Sequence, residues 1–407
     1  MTLVWGFGSG ECDQLGIGDE YREVKTPKRI YIVPSSISVA KIVCGGMHTL
    51  LLTTEGFVYS WGIGDDGALG RSGTEAVPQL IVRGIKCRIS DISAGDGHSV
   101  AYNSEIGAIY VWGRYRNLQR GDVMSPIRYP QQVGKFEFKR MQIQKVVCGA
   151  QHTLYLVSGR VYASGDSDNF NVGPLVSSED KLSGLEITLV DKGWDKTDDI
   201  FAGSYHSFAV KRYGGLFAWG HNESGQLGTG DFESSRNLKK VLNLDATRIK
   251  SIVGGESHTV ALMDNGDLYS WGNNDSYKLG LQSQVMEGLT NRCLPIPRKI
   301  EGIGGIAKIS AGSHYTYALD GLWQLYSWGM GENYVLGTRN DDDVEQPTQT
   351  LGKFTEENRI VDISAGAQHA IIITGTPQLF NPDVNNPEFL TLKERRRSKV
   401  MMRYTMN

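Results

Sequence analysis

Seven of the eight histidines in this 407-residue chain fall in one recurring setting. They close the runs Gly45-Gly46-Met47-His48, Gly95-Asp96-Gly97-His98, Gly149-Ala150-Gln151-His152, Gly203-Ser204-Tyr205-His206, Gly255-Glu256-Ser257-His258, Ala311-Gly312-Ser313-His314 and Gly366-Ala367-Gln368-His369. In six of them a glycine stands three places before the histidine; before His314 it stands one place later. A self-similar unit of roughly 50 residues marks a repeat architecture, in which each unit buries its apolar faces against its neighbours.

A second marker follows six of the histidines: Trp61-Gly62, Trp112-Gly113, Ser164-Gly165, Trp219-Gly220, Trp271-Gly272 and Trp328-Gly329. Between the markers run β-forming residues such as Thr49-Leu50-Leu51-Leu52 and Phe57-Val58-Tyr59-Ser60, split by a short turn at Gly56, Gly107, Gly159, Gly214 or Gly266. Each repeat therefore carries a β-hairpin. Most repeats then enter a turn ending in Leu-Gly or its like, at Leu69-Gly70, Val172-Gly173, Leu227-Gly228, Leu279-Gly280 and Leu336-Gly337.

The ends of the chain show how the repeats close. After His369 comes Ile371-Ile372-Ile373 and no Trp-Gly; the missing marker stands at the other end, in Val4-Trp5-Gly6, followed by Leu15-Gly16. One repeat is thus split across the termini, which a solenoid does not do and a closed ring requires. The expectation is an all-β, seven-bladed β-propeller over residues 1–379, its last blade completed by the N-terminal strand. Blades centre on His48, His98, His152, His206, His258, His314 and His369, and residues 380–407 form a polar, basic tail.

Fifty glycines against twelve prolines suit many tight turns, and a net charge of −3 gives no global attraction to DNA or anionic membranes. Cys12, Cys44, Cys87, Cys148 and Cys293 are scattered without a CxxC pair, so reduced thiols in a nuclear or cytosolic protein are expected. No apolar run reaches the ~18 residues of a membrane helix, and the N-terminus has no basic region of a signal peptide. One histidine per blade cannot converge on an ion, so each is expected to hold its own blade by a local hydrogen bond. The Trp-Gly pairs are expected in the core.

Departures from the repeat are where function is grafted. After Trp112-Gly113 the Leu-Gly turn gives way to Arg114-Tyr115-Arg116-Asn117-Leu118-Gln119-Arg120, arginines around an aromatic. A second departure spans Gly165 to Trp194, and the tail carries Lys393-Glu394-Arg395-Arg396-Arg397-Ser398-Lys399, with Arg395, Arg396, Arg397 and Lys399 forming a candidate import signal. There is no Walker loop, GxSxG elbow or HExxH motif, so a protein-binding disc is expected rather than an enzyme, with no cofactor or metal.

The GGMHT turn, the VYSWG strand and the GALG turn resemble the repeats of the regulator of chromosome condensation family over about residues 3 to 375. The segments Asp66-Gly67-Ala68-Leu69-Gly70-Arg71 and Trp328-Gly329-Met330-Gly331-Glu332-Asn333-Tyr334 are similar to its founding member, the exchange factor of the small GTPase Ran. The resemblance implies a Ran-type guanine-nucleotide exchange factor in the nucleus, with no membrane partner. Its candidate contacts are Glu11, Asp96, Gln151, His369 and a wedge of Tyr115, Arg116 and Asn117. Gln151 stands where the family carries an acid and Ser257 where it carries a histidine. Histones are a second implied partner, although Ser177-Ser178-Glu179-Asp180-Lys181 lacks the arginines of the family's chromatin loop, and its basic N-terminal tail has no counterpart here. The alternative is a non-catalytic scaffold that uses the same disc for another partner.

Overall fold

The computed structural model describes residues 2–32, 37–115, 126–133, 142–166, 169, 171–174, 185–190, 192–193, 196–281 and 292–375. In them seven four-stranded antiparallel sheets follow one another as the blades of a ring. The first blade runs outward from Val39–Cys44 through His48–Thr53 and Val58–Gly62 to Gln79–Leu80. Second strands such as His48–Thr53 and His258–Met263 are buried at every residue because another blade covers each of their faces. The outermost strands, such as Ser235–Lys240, are half open to water and read polar. Around the axis, ion pairs from Lys41 to Asp91 at 2.8 Å and from Lys145 to Asp199 at 3.0 Å, and a third from Lys308 to Asp362, tie neighbouring inner strands together.

The ring closes as the split repeat implied. Leu3–Ser9 lies between His369–Thr374 and Glu23–Ile30 in the seventh sheet. The register, however, is two residues from the expected one. Gly62 pairs with His48 and Trp61 with Thr49, whereas it is Gly8 that pairs with His369 and Phe7 with Ala370. Phe7, fully buried, therefore fills the tryptophan slot, and Gly8 matches Gly62 in its left-handed φ of 99° against 102°. Trp5 is half-buried, donates Nε1 to Thr374 Oγ1 at 2.8 Å and meets Phe354 edge-on. A two-residue slip keeps the same face of a strand, so the side-chain pattern alone did not separate Trp5 from Phe7.

The histidines join blades rather than bracing their own. His48 Nε2 lies 2.8 Å from Ser99 Oγ in the next blade, and Ser99 donates to the carbonyl of Ala68 back in the first. Trp112 Nε1 donates to that same carbonyl at 2.7 Å. With the Ser99 hydrogen already given, the imidazole N–H is the donor. The unit repeats as His152–Ser207–Asn171 with Trp219, as His206–Thr259–Gln226 with Trp271, and as His369–Thr49–Gln14 with Trp61. Glycine is required three places earlier because the imidazole lies over it: a Cβ on Gly45 would stand 2.3 Å from His48 Cε1. Gly70 combines a φ of 66° with a Cβ position only 2.8 Å from Trp112 Nε1.

His314 is not a member of this ring. Tyr315 opens the strand in the sixth blade, pairs with Gly329 and takes the histidine slot, which explains the shortened Gly-to-His spacing. Its hydroxyl donates to the carbonyls of Gly366 and His369, both at 2.9 Å, because the hydroxyl-bearing residue of the other blades is here Ala370. Other exceptions are coupled in the same way. Phe7 has no N–H to give the sixth turn, so Tyr317 donates to the Val335 carbonyl and meets Phe7 edge-on. Where the second blade lacks a Leu-Gly turn, the third has Ser164 in place of tryptophan, and Tyr155 reaches Ser164 Oγ at 3.0 Å. The blade centre expected at His314 is thus a tyrosine centre at Tyr315.

Candidate partner-binding face

Because Gly62 pairs with His48, the turn before each second strand and the loop after each Trp-Gly emerge on one face of the disc. The turns are held in a backbone circle around the mouth of the axis. Gly46 N donates to Gly95 O, Asp96 N to Ala150 O, Ala150 N to Ser204 O, Ser204 N to Gly255 O and Glu256 N to Ser313 O, at 2.8–3.2 Å. The two residues between glycine and histidine consequently have fixed backbones, and Met47, Asp96, Gln151 and Gln368 among them expose their side chains to solvent. That is the arrangement of a rigid recognition surface.

Acids gather there. Glu11, Asp96 and Glu332 are exposed, and Glu256 is half-buried. Asp96 touches water, yet the walls of the mouth strip part of its hydration. Burial raises its carboxyl above the usual range, Glu256 across the mouth adds to this, and Arg114 opposes it. Tyr205 is raised by burial first and then by Asp96 and Glu256, which places the three groups within one another's field. Among the described residues around the mouth, Arg114 leans on Asp66 at 3.4 Å, and Lys278 is buried behind Ser257. His314, released from the ring, has its Nε2 3.7 Å from Glu256 Oε2.

The sequence-derived candidates divide sharply. Glu11, Asp96 and Gln151 are exposed on this face. His369 is not available to a partner: it is fully buried and bonded through Nε2 to Thr49 Oγ1. Tyr115 is also core rather than a projecting wedge. It is 4% exposed, packs with Tyr155 and Val157, and has its ring 5.3 Å from that of His98. The missing Leu-Gly turn left a space that an aromatic fills. Arg116, Asn117, Ser177 to Lys181 and the tail with Arg395, Arg396, Arg397 and Lys399 lie outside the described residues. Glu256, Tyr205 and Lys278 were missed, although Glu256 and Tyr205 stand in the variable places of the Gly-x-x-His turn, the signal that would have found them.

No helix among the described residues is long and apolar enough to cross a membrane, and no disulfide joins their cysteines. Fold and face define a closed β-propeller with a rigid face that carries carboxylates around its axis. The profile of the RCC1-like domain matches residues 3–372, and the chain belongs to that family. The human regulator of chromosome condensation is 30% identical over 91% of this chain and 90% of its own length. The Saccharomyces cerevisiae guanine nucleotide exchange factor SRM1 is 29% identical over 90% of this chain and 86% of its length. Among solved structures, Prp20p of the same yeast, described with its binding properties to Gsp1p and histones, superposes with a TM-score of 0.84 at 27% identity, covering 96% and 95% of the two chains.

Proposed function

We propose that this chain is a guanine-nucleotide exchange factor for a Ran-type GTPase, which it binds through the acidic mouth. The observation that carries the proposal is the pair Asp96 and Glu256, held opposite each other on a hydrogen-bonded circle of turns in a member of this family. Carboxylates on a preorganised rim attract a basic partner surface and keep acidic ones away. Exchange needs no bond chemistry. A GTPase holds its nucleotide by phosphate contacts and Mg²⁺, and a partner that prefers the empty state loosens them. By linkage, bound nucleotide then weakens the partner by the same factor.

Arg116 and Asn117 are the proposed wedge. They directly follow Arg114, which leans on Asp66, and the buried Tyr115, so the chain enters this segment from a fixed base. Nuclear location, import through Arg395, Arg396, Arg397 and Lys399, and histones as a second partner belong to the same reading. Asp96→Asn removes one charge from the face and leaves the turn's backbone bonds untouched. GDP release from Ran is expected to slow at least ~tenfold, a loss of ~1.4 kcal/mol from the exchange transition state, with no fall in melting temperature. Replacing Arg116 and Asn117 by glycine is expected to do the same. If both variants release GDP at the wild-type rate, the chain uses its disc as a scaffold and not as an exchange face.

A further inference from the structure

A disc of seven like blades offers a docking partner several similar orientations, so something on the face must break its symmetry. One side chain in the mouth departs from the repeat in charge and is unmatched by its surroundings. The residue before Leu-Gly is Gln14 in the seventh blade and Gln226 in the fourth, and their Oε1 atoms accept from Cys12 N at 2.7 Å and Ser224 N at 3.0 Å. In the fifth blade this place holds Lys278, which has no acceptor to offer. The side chain is 5% exposed, and its ammonium reaches only Ser257 Oγ at 3.5 Å. Among the described residues it makes no ion pair; Glu256, the acid of the adjoining turn, leans instead on His314. Ser257 and His314 are half-buried on the face, so the ammonium lies one hydroxyl beneath the docking surface.

We propose that Lys278, gated by Ser257, receives a carboxylate of the bound GTPase and thereby fixes the rotational register of the complex; this rests on the exchange reading above. Burial pulls the Lys278 ammonium below its usual range, and Asp275 and Glu256 push back and favour the charged form. A buried cation without a close counter-ion is costly in the free protein, and a bound carboxylate removes that cost. Elsewhere on an acidic mouth a carboxylate is repelled, so attraction at one point and repulsion around it select a single orientation.

The test measures binding of nucleotide-free Ran to the full chain and to Lys278→Gln, Lys278→Arg and Asp96→Asn, each beside its melting temperature. Lys278→Gln uses the side chain that two other blades carry at this place. It is expected to weaken binding at least ~tenfold, mainly through faster dissociation, at an equal or higher melting temperature, while Lys278→Arg stays close to wild type. Wild-type binding by Lys278→Gln alongside weakened Asp96→Asn overturns the register role and leaves the exchange face standing. Equal losses in Lys278→Gln and Lys278→Arg overturn it too, since charge would then not be what matters. If neither Lys278→Gln nor Asp96→Asn alters binding, the face itself is unused and both readings fall.

Discussion

A chain lacking residues 2–9 is expected not to hold the closed ring, and to melt far below the intact protein or not to fold. The segment supplies a middle strand of the seventh blade: Leu3–Ser9 pairs with His369–Thr374 on one side and Glu23–Ile30 on the other. Without it, a strand of buried isoleucines, Ile371 to Ile373, keeps only its inner partner Ile360–Ala365 and bares a row of backbone groups on the other side. Glu23–Ile30 loses its attachment to the ring. The single side chain that matters most is Phe7. Phe7→Ala should cost ~3–5 kcal/mol, a large part of the ~5–15 kcal/mol that holds a typical domain. Trp5→Ala should cost clearly less, because Trp5 is half-exposed and gives up one hydrogen bond and one edge contact. Thermal unfolding of the two variants decides the register; a larger loss for Trp5→Ala than for Phe7→Ala would contradict it.

The second large effect is acid lability. His48, His152, His206 and His369 are pushed down from 6.5 to about 3, and His98 to about 4, in each case chiefly by burial. His258 is lowered well below its usual value for the same reason. These imidazoles are neutral in the fold, and in His48, His206, His258 and His369 the Nδ1 atoms are buried without a partner. The unfolded chain binds protons first as pH falls. The stability from this ring is therefore complete above pH 6.5 and drains away from there down toward pH 3–4. Each histidine withdraws ~1.4 kcal/mol per pH unit in this window, so six remove ~8 kcal/mol by pH 5.5, comparable to a whole domain's stability. Urea unfolding at pH 7.5 and 5.5 should show that collapse, before most carboxylates titrate. A flat profile between the two would mean the imidazoles are charged or solvated in the fold.

Much of this architecture is legible in the sequence because a repeat states its own period. The Gly-x-x-His turns, the Trp-Gly strand ends and the split blade together define seven blades and a clasp. What was not legible lies where one blade's exception is answered by another. Tyr315 in a histidine slot becomes intelligible only beside Ala370, and Phe7 only beside Tyr317, residues distant in the chain and adjoining in the ring. The site was half legible. Glu11, Asp96 and Gln151 stand at solvent-facing positions, but burial of His369 and Tyr115 follows from packing between blades, which a residue's own neighbours in sequence do not reveal. Lys278 escaped notice because its meaning rests on the glutamines at the same place in other blades.

The central claim is that this rigid acidic face drives nucleotide out of a Ran-type GTPase. Its most direct measurement is release of fluorescent GDP from Ran, in excess unlabelled nucleotide, with and without the full chain. The account predicts release many times faster than the spontaneous rate, rising with protein concentration and saturating as the GTPase becomes fully engaged. Release at the spontaneous rate by a protein that nonetheless binds nucleotide-free Ran would contradict it, and would make the propeller a holder of the GTPase and not its exchange factor.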